Sequence, residues 1–237
     1  MQTMTTTNDQ FASLAKSLVD AATQKNLTLR VMSGVAVYIT CPSIATHPTL
    51  QRNILDIDLV APTMQWDAIA EIFKAQGVIP REKKSDVWAF DKAGVQIELC
   101  DPKFDYVDVS ARLTLATPTL PLADLLLFKL QRRPFEERDI QDAIALLLDH
   151  RVIKDEGEDQ INHTYIAHLC KGNWNLFHRV YDHTVMLEKV LDKYIEPEEA
   201  QLVWRRIELI QEDMDRQPKS LGWMLNQFLK KPTQVPR

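Results

Sequence analysis

The pattern of hydrophobic and polar positions divides the chain into a mixed first half and a helical second half. Over residues 8 to about 25, Phe11, Leu14, Ala15 and Leu18 fall on one stripe, which predicts an amphipathic helix. Residues 27–32 alternate like a strand that stops at Ser33-Gly34. The apolar, β-branched residues 35–40 are not typed by periodicity alone, and their place directly after a strand and Ser33-Gly34 favours a short helix. Residues 41–53, with Pro42, Pro48 and several polar side chains, read as a loop. A strand follows over 54–61, with Leu55, Ile57 and Leu59 on one side and Asp56 and Asp58 on the other. Residues 64–76 form a helix that ends at Gly77, and 87–90 with 95–100 read as two strands of a hairpin joined by 91–94.

The proline-rich passage 117–121 marks a boundary. Beyond it nearly everything is helical in pattern: about 121–133, 136–150, 158–170, 174–194, 197–214 and 219–230, with 231–237 as a frayed tail. The chain shows no internal repeat and no low-complexity tract. The expected class is α+β, with a mixed β-sheet flanked by helices over 1–117 and a helical C-terminal domain over 118–237.

Composition narrows the function classes. The 237 residues are 45% hydrophobic and 26% charged, as in ordinary globular proteins, and suffice for one large or two small cores. A net charge of −5 argues against a broad basic surface for nucleic acid, although a local basic groove remains compatible with it. Cys41, Cys100 and Cys170 lack metal-ligand spacing, and an odd cysteine count points to reduced thiols and a cytoplasmic setting. No secretory leader pattern opens the sequence, and no apolar run reaches the roughly 20 residues of a membrane span.

The candidate chemistry lies in Asp56 and Asp58. At i and i+2 on a strand, their carboxylates share a face and suit one hard cation such as magnesium. Two-metal phosphoryl chemistry, with ions about 3.5–4 Å apart, calls for a third carboxylate from a neighbouring strand. Glu98, alternating with Gln96 and Cys100 against Val95, Ile97 and Leu99, meets that need, with Asp101 as the nearest substitute. An Asp-x-Asp pair alone is common in turns, on edge strands and in glycosyltransferases. Ser33-Gly34 at a strand–helix junction would let backbone amides approach a triphosphate, although a tight turn needing Gly34 explains the pair as well.

In the second half, Leu122, Leu125, Leu126 and Lys129 fall on one helical stripe. A lysine there must snorkel, reach into a cleft, or pair with Asp139 or Asp142 on the next helix. On that helix Ile140, Ala143, Ile144, Leu147 and Leu148 form the core face. Asp139 flanks it and is the better candidate for an inward role, whereas Asp142 is turned further away and also fits a solvated face. The six histidines lack helical zinc spacing. Trp174, Trp204 and Trp223, with Phe177 and Tyr181, read as packing residues of the helical half or as the lining of an acceptor groove. Arg205 and Arg206 read as a solvated pair, with contact to an RNA acceptor as the alternative.

The order of these pieces resembles the DNA-polymerase-β-type nucleotidyltransferase superfamily, and within it the AbiEii-type proteins of toxin–antitoxin systems. The resemblance covers about residues 28–150. It rests on Val31-Met32-Ser33-Gly34-Val35-Ala36, on Arg52 upstream of Asp56 and Asp58, and on Glu98 in an apolar strand. Leu125, Leu126, Lys129 and Leu130 on one helix, then Arg138, Asp139 and Asp142, complete it. Two positions depart from the family pattern: Ile54 replaces a usual Ser or Thr, and Ser33 stands where a glycine is common.

The resemblance implies an enzyme that moves an NMP from an NTP, ATP among the candidates, to a hydroxyl acceptor and releases pyrophosphate. Asp56, Asp58 and Glu98 would bind two magnesium ions and carry catalysis. Ser33, Gly34, Arg52, Lys129 and Asp139 would serve nucleotide binding. The acceptor is left open among tRNA, protein and a small molecule. Two rivals stand beside this reading: a non-catalytic interaction module, such as one component of a toxin–antitoxin pair, and a glycosyltransferase using Asp-x-Asp.

Overall fold

A computed structural model of the protein describes residues 7–218, so the helix expected over 219–230, with Trp223, lies outside the described residues. Helix α1 (Asn8–Thr23) begins with a capping box, in which Thr7 accepts from the Gln10 N–H and Gln10 accepts from the Thr7 N–H. It buries Phe11, Ala15, Leu18, Val19 and Ala22. Strand β1 (Arg30–Met32) runs directly into helix α2 (Ser33–Thr40), the short helix its position predicts. The expected loop contains a helical turn, α3 (Ser43–Thr46), and a 3-10 turn at Pro48–Leu50. Strand β2 (Asp56–Val60) and helix α4 (Trp66–Ala75) follow.

Strands β3 (Ile79–Lys83), β4 (Val87–Lys92) and β5 (Val95–Cys100) complete a five-stranded mixed sheet in the order β1-β2-β5-β4-β3. Only β2 and β5 are parallel. The β4–β5 turn is tight because Ala93 and Gly94 both take positive φ, at 52° and 89°, which matches the right-handed twist of the flanking strands. Strand β3 escaped the sequence reading because its pattern is charged and interrupted by Pro80, which suits an edge strand. The opposite edge is covered: the Val31 N–H donates to the Pro118 carbonyl (2.9 Å) and the Leu120 N–H to that of Val31 (3.0 Å).

The alternation of β2 and β5 sorts their side chains. Ile57, Leu59, Ile97 and Leu99 have no exposed surface, and burial of each contributes about 2 kcal/mol. The sequence placed Leu55 with them. It lies just before β2 and is 73% exposed, because the register that buries Ile57 begins only at Asp56.

After two short strands, β6 (Lys103–Phe104) and β7 (Val107–Asp108), the chain becomes helical. Helices α5 (Leu122–Leu130) and α6 (Glu137–Asp149) lead to a two-stranded parallel pair, β8 (Arg151–Ile153) and β9 (Gln160–Asn162). Helix α7 (His163–Gly172) therefore starts later than the predicted residue 158, because Gln160–Asn162 pairs as a strand. Helices α8 (Trp174–Glu188) and α9 (Pro197–Arg216) end the described chain. Two compact units result, one from Met1–Thr46 and Gln51–Leu125, the other from His47–Leu50 and Leu126–Arg237. The division falls within α5, a few residues beyond the proline passage that marked the expected boundary.

Candidate active site

The first unit presents a row of acidic side chains on one face of its sheet. In the parallel β2–β5 ladder, Asp58 pairs with Glu98 and Asp56 with Gln96, so the three carboxylates occupy one face across two adjacent strands. The opposite face carries the buried residues Ile57, Leu59, Ile97 and Leu99, which fixes the orientation of the whole row. Asp56 is exposed, and Asp58 and Glu98 are half-buried. The Gln96 side-chain amide donates to Glu98 Oε1 at 3.1 Å. On the same face, burial pushes the Cys100 thiol far up from its ordinary pKa, and the negative charges of Asp58 and Glu98 push it further.

Donor chemistry and register both suit a hard divalent cation. The side chains are not gathered into a formed centre, since among the described residues no group of three His, Cys, Asp or Glu stands ready to hold a metal ion. Asp101, the alternative to Glu98, is used locally: it accepts from the Thr63 hydroxyl and from the Lys103 N–H (2.9 Å).

Ser33, Gly34 and Arg52 are brought together beside this face. Met32 pairs with Asp58 across β1 and β2, so the chain turns into α2 beside β2, with Ser33 next in line. Ser33 adopts φ +60°, a left-handed conformation that is uncommon for a side-chain-bearing residue and marks local strain. The Arg52 guanidinium lies against Gly34: a Cβ at position 34 would stand 2.2 Å from Nη2. Gly34 is therefore needed for close approach of a side chain as well as for any turn.

Sequence reasoning missed what holds Arg52. The Asn8 side-chain amide donates to the Arg52 carbonyl (2.8 Å), and its oxygen accepts from the Ile54 N–H (3.0 Å). The next residue, Asp9, accepts from the Tyr38 hydroxyl at 2.7 Å, and this bond pushes the Tyr38 pKa up. Asn8, Tyr38, Ile44, Ala45, Gln51, Arg52 and Asn53 line an open cavity of about 450 Å³. The one available signal was the Thr7-x-x-Gln10 spacing of a capping box, which caps α1 without Asn8 and leaves that side chain to bond elsewhere. Ile54 is buried.

Lys129, Asp139 and Asp142 form a separate cluster in the second unit. Lys129 Nζ lies 2.7 Å from Asp142 and 3.8 Å from Asp139, and all three are buried. Asp142 is thus an inward partner of the lysine rather than a solvated residue. Asp139 also accepts from the Glu136 N–H (3.3 Å) in the capping box of α6. Arg206, read from sequence as solvated, is half-buried and donates to the Leu147 and Leu148 carbonyls at the C-terminus of α6. Trp174 and Phe177 are buried as expected, whereas Trp204 is 43% exposed because it falls off the buried stripe Val203, Ile207 and Ile210 of α9. Among the described residues no helix is long and apolar enough to cross a membrane.

No family model and no curated protein matches the chain. The structure is similar to that of an antigenic nucleotidyltransferase-like protein from Paracoccidioides brasiliensis, with 14% identity, 92% of this chain and 98% of that chain covered, and a TM-score of 0.46. It is also similar to ANT(2'')-Ia, solved in complex with adenylyl-2''-tobramycin, with 14% identity, 87% and 97% covered, and a TM-score of 0.35. These likenesses are loose, and the functional reading rests on the acidic face and the Gly34–Arg52 contact instead.

Proposed function

We propose that the chain is a metal-dependent nucleotidyltransferase that moves an NMP from an NTP to a hydroxyl acceptor. One observation carries the reading: Asp58 and Glu98 stand at paired positions on parallel neighbouring strands, with Asp56 on the same face. Carboxylates gathered on one face of neighbouring strands repel one another, and a bound cation offsets that repulsion. Asp56, Asp58 and Glu98 would hold magnesium. Bound there, magnesium would supply charge neutralisation for the triphosphate and activation of the acceptor oxygen.

The protein groups have distinct roles. The Arg52 guanidinium, resting against Gly34, is a fixed cation for the triphosphate, and the backbone at Ser33 and Gly34 offers amide donors close to it. The acceptor hydroxyl oxygen bonds to the α-phosphorus, the α–β bridging bond breaks, and pyrophosphate leaves with that electron pair. Glu98 is the side chain suited to take the acceptor proton. Lys129 and Asp139 hold one another within the second unit, so their contribution is to stability first.

The test is incubation with magnesium, each α-labelled NTP and separate tRNA, protein and aminoglycoside acceptors. Transfer of label by the wild type, lost in Asp56→Ala and Asp58→Ala, supports the proposal and names the acceptor. Absence of both transfer and NTP binding favours a non-catalytic interaction module, for which an antitoxin-like partner would be sought.

A further inference from the structure

We infer that Asn8 is a positioning residue, and that the first turn of α1 sets the distance between Arg52 and Gly34. The inference rests on the proposed nucleotidyl-transfer reading of that site. Residues 51–55 have no regular structure, so their backbone groups have no ladder partners. The Asn8 amide supplies two of them. Its Nδ2 donates to the Arg52 carbonyl and its Oδ1 accepts from the Ile54 N–H, at 2.8 and 3.0 Å, so one side chain grips the backbone on both sides of Asn53. Such a two-point grip fixes the direction of the peptide as well as its position. It acts on the segment that carries Arg52 and enters β2 at Asp56, two residues beyond Ile54.

The adjacent residue completes the device. Asp9 accepts from the hydroxyl of Tyr38, and Tyr38 belongs to α2, the helix that opens with Ser33 and Gly34. Consecutive residues of one helical turn therefore hold the two segments whose meeting creates the Arg52–Gly34 contact. The Asn8 side chain is available because Thr7 and Gln10 already complete the capping box of α1. Nor is Asn8 needed for packing, which Phe11, Ala15, Leu18, Val19 and Ala22 provide. Asparagine supplies both a donor and an acceptor on one planar group, which neither aspartate nor serine can do in this geometry.

The experiment compares wild-type protein with Asn8→Ala and Asn8→Asp in full-length form. Three quantities are read: thermal midpoint, amide hydrogen exchange at Ile54, and KM and kcat for the magnesium–NTP substrate. In Asn8→Ala, Ile54 exchange should accelerate and KM should rise about 10-fold or more, because small misplacements of positioning groups are expensive. The thermal midpoint should barely move. Asn8→Asp keeps the acceptor for Ile54 but loses the donor to Arg52, so exchange should stay slow while KM still rises. An unchanged KM in Asn8→Ala with faster Ile54 exchange overturns the positioning role alone. A fall in thermal midpoint with unchanged KM reduces Asn8 to a structural residue and also overturns it. A wild type that neither binds nor consumes NTP overturns the reading of the site itself, and the positioning role with it.

Discussion

Ser33, Gly34 and Arg52 show how much of the candidate site depends on the absence or strain of single side chains. At position 34 a methyl group would stand 2.2 Å from Arg52 Nη2. The obstacle is the end of a flexible side chain, so Gly34→Ala should leave the fold intact and move the guanidinium. Loss of one charge-assisted contact, worth about 2 kcal/mol, should weaken NTP binding at least about 10-fold. Calorimetric titration alongside a thermal melt checks both halves of that expectation. Ser33, at φ +60°, makes the opposite prediction for stability. Ser33→Gly relieves left-handed strain of about 1–2 kcal/mol, partly offset by the greater freedom of glycine in the unfolded chain. Urea denaturation should therefore show a gain of up to about 1 kcal/mol.

At the scale of elements, the parts of the candidate site that lie on strands were legible and the parts in irregular chain were not. Asp56, Asp58 and Glu98 could be assigned to one face because the side-chain period of a strand is two and the apolar partners alternate cleanly. Their pairing across β2 and β5 is a register between segments about 40 residues apart, which no local pattern encodes. Asn8 was invisible for the same reason, since its bonds reach the backbone of Arg52 and Ile54. The edge strand β3 was missed because it is charged and does not alternate, and the β8–β9 pair because three residues per strand are too few to show a period. The α5–α6 cluster was half legible: the apolar stripe exposed the anomaly of Lys129, but not that Asp142 would be its nearest partner. Lys129→Met would take the nearest cation from buried Asp142, 2.7 Å away, and should cost about 3–5 kcal/mol in urea denaturation. Lys129→Met with Asp142→Leu should recover a large part of that loss.

Over the whole molecule, the first unit carries the candidate chemistry, and the second carries buried groups that make its folding sensitive to acid. His183 is buried, stacks on Phe135 at 4.2 Å and lies 2.7 Å from the Leu130 carbonyl. Burial lowers its pKa below 6.5. The unfolded chain therefore binds a proton more readily than the folded one, so the stability His183 contributes is present above about pH 6.5 and lost as pH falls. In His183→Asn, which retains a donor toward Leu130, the decline in thermal midpoint between pH 7 and 5 should be shallower than in the wild type.

The most direct test of the central claim requires no knowledge of the acceptor. A non-hydrolysable NTP is titrated calorimetrically into wild type and Asp58→Asn, each with and without millimolar magnesium. Metal-dependent nucleotidyl transfer requires that wild-type binding depend on magnesium and be largely lost in Asp58→Asn. Equal binding by both proteins, or none by the wild type in saturating magnesium, would contradict it.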